Sequence, residues 1–144
     1  MKKIPEDNKY FHYYNANPKG KDTKDCTYRA LSLFLGKSWD EIAELDAEFY
    51  LSHGSWFYIT EIDSYKQKAN TEVFLKESDC CKLAYSFNLK DGISTMRDFI
   101  DKKADPNKVY ICPLDRHIAV IKGNKVWDTW DSSNCGITNI YELI

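Results

Sequence analysis

The sequence predicts an α+β domain with helices in its first part and an antiparallel sheet in its last third. Three observations lead there. Apolar residues recur at helical spacing between Cys26 and Phe49 and again after Thr95. After residue 108 the pattern changes to short β-rich runs divided by turn residues. Helices first and strands later is the order of an α+β fold, with the helices packed on one sheet.

The size and composition agree with a single domain spanning residues 1–144. A chain of 144 residues that is 43% hydrophobic and 15% aromatic can fill one core. Residues 1–14 are expected to be a loosely held arm, or else a docked strand, since Tyr10-Phe11-His12-Tyr13-Tyr14 is apolar enough to pack. Asn15 to Asp22 reads as a loop. The first helix runs from Cys26 to Leu35, with Ala30, Leu31, Phe34 and Leu35 inward, Asp25 as N-cap and Gly36 as stop. The second opens on Ser38-Trp39-Asp40-Glu41, a capping box, and continues through Ile42, Leu45 and Phe49. A third is expected from Thr60 to Ala69, with Ile62 and Tyr65 on one face. Residues 71–90 have no decisive pattern. Thr95 caps a short helix that runs to Lys103. Val109–Leu114, His117–Ile121 and Lys125–Trp130 are strands. Gly123-Asn124 is a two-residue hairpin turn, and Ile137–Leu143 is a closing strand. The four tryptophans and Cys112 are assigned to the core.

Charge and composition also narrow the function. The net charge of -2 is spread without a basic block, so no nucleic acid or anionic membrane is expected as partner. Met1–Asp7 has no apolar stretch of the signal-peptide kind, and no run approaches the length of a membrane span. A cytoplasmic protein is expected. The five cysteines, at 26, 80, 81, 112 and 135, form neither an even disulfide framework nor a CxxC metal pattern. Free thiols in a reducing compartment fit, and neither metal nor cofactor is expected.

Chemistry gathers on three residues. Cys26 follows the N-cap, where the free N–H groups and the positive end of the helix dipole stabilise a thiolate. Its own backbone N–H can face a developing oxyanion. His117 opens a strand after the turn Asp115-Arg116, a rigid mount for a general base. Asp128 follows from hairpin arithmetic. A turn at Gly123-Asn124 sets Lys122 against Lys125, Ile121 against Val126 and Val120 against Trp127. His117, Ala119 and Ile121 then share a face with Val126, Asp128 and Trp130. Asp128 becomes a diagonal neighbour of His117, within reach of its ring. Asp131 falls on the other face and is held as the reserve acid, should a bulge reverse the register. Nucleophile, base and orienting acid are the parts of a thiol-hydrolase triad.

The segments Thr23-Lys24-Asp25-Cys26 with Arg29-Ala30-Leu31, Gly36–Glu41, His117–Ile121 and Val126–Ser132 resemble a family of small papain-like cysteine peptidase-like proteins of bacteriophages and low-GC bacteria. The resemblance spans roughly residues 15–135, and its specific motifs are the Cys26 and His117–Asp131 segments. It implies a papain-like fold with Cys26 as nucleophile, His117 as base and Asp128 as orienting acid. It gives no substrate; a protein or peptide is expected because peptide hydrolysis is the default activity of such a triad, and for a phage protein the host cytoplasm is the expected setting. Trp130 would roof the cleft. One departure stands out: no glutamine precedes the nucleophile as oxyanion donor. Asn17 (or Asn15), backbone N–H groups, or Lys21 would have to take that part. Peptidase, deamidase, transglutaminase and isopeptidase activities all use such a triad, and the sequence does not separate them. The alternative is a non-catalytic accessory protein that binds a host protein on the same scaffold. Attack on the cell wall is a further alternative that would need delivery from the cytoplasm.

Overall fold

The structure, a computed structural model, describes residues 3–21, 24–59 and 64–144. Asp22, Thr23 and the expected helix start at Thr60, with Ile62, lie outside the described residues. The described residues form four α-helices and one six-stranded mixed sheet. In chain order these are β1 (Phe11–Tyr13), α1 (Cys26–Leu35), α2 (Trp39–His53), α3 (Ser64–Glu77), β2 (Cys81–Ser86), α4 (Met96–Lys102), β3 (Val109–Leu114), β4 (His117–Lys122), β5 (Lys125–Asp128) and β6 (Asn139–Leu143). The strand order is β1-β5-β4-β3-β6-β2.

Local chemistry explains the element ends. Gly36 closes α1 in the left-handed region at φ 66°, where a side chain would be strained. Ser38 and Glu41 cap each other's backbone N–H at the start of α2. Thr95 and Asp98 do the same for α4. Gly123 and Asn124 both take positive φ, as a tight two-residue turn requires, and the β4–β5 register is the expected one, with Lys122, Ile121 and Val120 opposite Lys125, Val126 and Trp127.

The central strands of the sheet are buried on both faces. On one face Ile111, Ile118, Val120 and Tyr141 pack under Leu31 and Phe34 of α1, Ile42 and Phe49 of α2, and Phe74 and Leu75 of α3. On the other, Tyr110, Cys112, Ala119, Ile121, Val126 and Ile140 pack against Met96, Phe99 and Ile100 of α4. The alternation along β3 and β4 divides these two sets, as the pleat of a strand demands.

Several expectations are corrected. The helices do not share one face, because α4 is amphipathic and covers the second. The sheet is mixed rather than purely antiparallel, because residues 11–13 are no loose arm: β1 pairs in parallel with β5, and Phe11 is fully buried. The third helix extends to Glu77, with Tyr65 89% exposed and Phe74 and Leu75 inward instead. β2 is an additional edge strand. The run 137–143 shortens to β6 and lies inside the sheet, between β3 and β2. Trp56 and Trp130 are exposed rather than core, whereas Cys112 is fully buried as expected.

Candidate active site

Three elements meet at one end of the sheet. α1 begins there with Cys26, β4 begins there with His117, and β5 ends there with Asp128. The sequence separation of Cys26 from the hairpin is bridged because α1 lies across β3, β4 and β5.

His117 is 9% exposed, and its Nε2 lies 2.6 Å from Asp128 Oδ2. The Cys26 thiol is close enough to the ring to act on its protonation. With Nε2 held by the carboxylate, Nδ1 is the nitrogen left for the thiol. Burial pushes the imidazole pKa down, but the hydrogen bonds and charge of Asp128 and Cys26 outweigh it and hold the ring up at about 9. The ring is therefore an imidazolium at neutral pH.

Asp128 is fixed from every side. Its Oδ2 also accepts from Ser132 Oγ at 2.6 Å, and its Oδ1 accepts from Thr129 N at 2.7 Å. β1 holds its backbone, with Tyr14 N donating to the Asp128 carbonyl at 2.8 Å. Arg29 Nη2 stands 3.7 Å from Asp128 Oδ1, while Arg29 Nη1 pairs with Asp25. Both Arg29 and Asp25 are buried, so the guanidinium is an internal cation between two carboxylates.

This changes the part given to Asp25. It is the N-cap by position, but its side chain makes no cap hydrogen bond. Its carboxylate binds Arg29 and accepts from Trp39 Nε1 at 2.7 Å and Asn17 Nδ2 at 3.0 Å. The Asn17 amide is thus committed to holding Asp25, and its carbonyl oxygen accepts from Lys19 N at 2.9 Å. Lys21 is exposed, and its backbone carbonyl accepts from Asn15 Nδ2. Asp131 does not serve His117. It accepts from Asn8 Nδ2 at 2.9 Å, Arg97 Nη2 at 3.1 Å and Ser133 N at 3.1 Å, tying the N-terminal segment to α4. No bulge reverses the hairpin, so Asp131 stays on the far side.

Trp130 lies over the His117 ring, with ring centroids 4.9 Å apart, and is 44% exposed. It shares with Tyr13, Ile4 and Lys3 a recess of about 340 Å³ next to Thr129. Among the described residues, no three His, Cys, Asp or Glu side chains converge as a metal site.

Sequence reasoning missed Arg29 as part of the site. The signal was present, since Asp25 and Arg29 stand four apart at the start of a helix and can pair. What the sequence did not show was that this pair faces inward.

No protein-family model matches the chain, and no curated protein or solved structure shows significant similarity to it.

Proposed function

We propose that the chain is a thiol hydrolase on a papain-like scaffold, a cysteine peptidase or a related amide-bond hydrolase. The observation that carries this reading is His117, whose Nε2 is held by the Asp128 carboxylate while the Cys26 thiol lies near enough to act on the ring. In this reading Cys26 attacks the carbonyl as a thiolate, and the amine leaves with a proton from the His117 imidazolium. Water, deprotonated by the neutral imidazole, then hydrolyses the acyl-thioester. Asp128 holds the ring in orientation and stabilises its charge. The N–H of Cys26 is one of the first four of α1, which have no partner within the helix. It is the oxyanion donor we assign. The recess beside Trp130 would take part of a protein or peptide substrate. The cytoplasm of the cell that makes the chain, or of the host if a phage encodes it, is the setting that goes with this reading.

The test is alkylation by iodoacetamide at pH 6, followed by tryptic mapping. Cys26 should be modified at least about ten times faster than Cys135, because a thiolate paired with imidazolium reacts where ordinary thiols do not. Equal rates at the two residues would sink the catalytic reading and favour the non-catalytic binding protein.

A further inference from the structure

Asp25 stands where the N-cap of α1 belongs but does not act as one. Its φ of -117° and ψ of 26° are not the extended conformation usual for a capping residue, and its side chain makes no cap hydrogen bond. The carboxylate turns inward instead and is buried. Its Oδ2 accepts from two uncharged donors, Trp39 Nε1 at 2.7 Å and Asn17 Nδ2 at 3.0 Å, and its Oδ1 takes Arg29 Nη1.

Asp128 divides its oxygens in the same way. Oδ2 takes His117 Nε2 and Ser132 Oγ, while Oδ1 takes the Thr129 N–H and faces Arg29. The guanidinium therefore lies between two Oδ1 atoms and is bonded to that of Asp25. The 3.7 Å from Nη2 to Asp128 Oδ1 is longer than the roughly 2.7–3.2 Å of an N–H···O hydrogen bond, so this contact acts through charge.

The result is a row of buried groups with alternating charge: Asp25, Arg29, Asp128 and His117. With the ring protonated, two negative and two positive charges cancel. The surroundings add little charge. Cys26 of α1 acts on the ring. β3 places Leu114 opposite His117, and β1 places Tyr13 beside Asp128. Asp131 is paired with Arg97, and the Cys135 thiol is held up by burial and then by the charge of Asp128. Asp115 and Arg116 stand in an exposed turn.

Buried ion pairs often add no more stability than apolar side chains of similar volume. Two linked pairs beside a candidate base therefore point to the base itself. A nearby like charge disfavours an ionised group, and an opposite charge favours it. Arg29 alone would oppose the imidazolium and compete with it for Asp128. Resting on the reading of His117 as the base, we propose that Asp25 and Arg29 are a positioning pair for it. Asp25 neutralises the guanidinium and holds it back from Asp128, so that Asp128 Oδ2 is left to the ring.

Asp25→Asn removes the charge and keeps the shape. Arg29 then carries a surplus positive charge and can close on Asp128, and both effects oppose the imidazolium. The experiment is an NMR titration of His117 in the full chain. The sequence has three histidines, and the signal of His117 is assigned as the one lost in His117→Asn. The pKa of His117 should fall by about one pH unit or more in Asp25→Asn. Adding Arg29→Met to Asp25→Asn removes the surplus charge and should return the ring to within about half a pH unit of the wild type. Trp39→Phe, which disturbs Asp25 without changing a charge, should leave the titration where it was. If Asp25→Asn does not fold, the double variant should fold and titrate like the wild type. A single variant that titrates like the wild type would overturn the proposal. So would a double variant that titrates as low as the single one or fails to fold, or a fall in Trp39→Phe equal to that in Asp25→Asn. The ring is read without substrate and without reaction at Cys26, so failure here is distinct from failure of the alkylation test.

Discussion

At the scale of single residues, the site depends on one carboxylate with several donors. Asp128 receives His117, Ser132 and the Thr129 N–H, and Arg29 lies close by. Replacing it by Asn keeps the shape but removes the charge and leaves one acceptor oxygen where both carboxylate oxygens accept, so an NH2 group must face one of the donors. Asp128→Asn should therefore slow Cys26 alkylation at pH 6, and any hydrolytic turnover, by about 100-fold or more. Asp131→Asn should change either rate by less than about threefold, because Asp131 contacts Asn8, Arg97 and Ser133 instead. Equal losses in the two variants would contradict the assignment of the orienting acid. Arg29 carries a different burden. Its removal leaves the buried Asp25 and Asp128 without their shared cation. Arg29→Met should destabilise the fold by about 3–5 kcal/mol in urea unfolding, well beyond a surface arginine.

At the scale of elements, what could be read in advance depended on whether the signal was local. Caps are local, so Ser38 with Glu41, Thr95 and Gly36 were legible to the residue. The hairpin was legible for the same reason: two positive-φ residues at 123 and 124 fix the register, and the register brings Asp128 to His117. α3 was not legible. Its inward residues are few, Thr71, Phe74 and Leu75, and exposed Tyr65 and Val73 imitate an apolar face that is not used. β2 failed as well, since Lys82, Leu83 and Ala84 are all exposed and only Tyr85 alternates inward. β1 depended on a partner more than a hundred residues away. Its energetic weight is testable at Phe11, which is fully buried beside β5. Phe11→Ala should cost about 3 kcal/mol or more by denaturant unfolding, whereas exposed Lys9→Ala should stay within about 0.5 kcal/mol. A cost near zero at Phe11 would mean that the segment does pack loosely, as its terminal position first suggests.

At the scale of the molecule, the two-sided core and the site at its end are linked through proton binding. The core layers on the two faces of the sheet clamp β4 and β5, and that rigidity keeps His117 within reach of Asp128 although both are desolvated. The consequence is thermodynamic. His117 has an ordinary pKa of about 6.5 when the chain is unfolded and about 9 when folded. A folded-state value above the unfolded one means that the native state binds the proton more tightly. This contribution is complete below about pH 6.5 and fades as the pH rises toward 9. It amounts to roughly 3 kcal/mol. Other groups titrate too, so the informative quantity is a difference. Stability of the wild type minus that of Asp128→Asn, measured by urea unfolding, should fall across that interval and level off above it. A difference that is flat between pH 6 and 9 would show that the imidazolium is not held by Asp128. A difference that rises would mean that the folded chain prefers the neutral ring, and the proton needed by a leaving amine would then have to come from elsewhere.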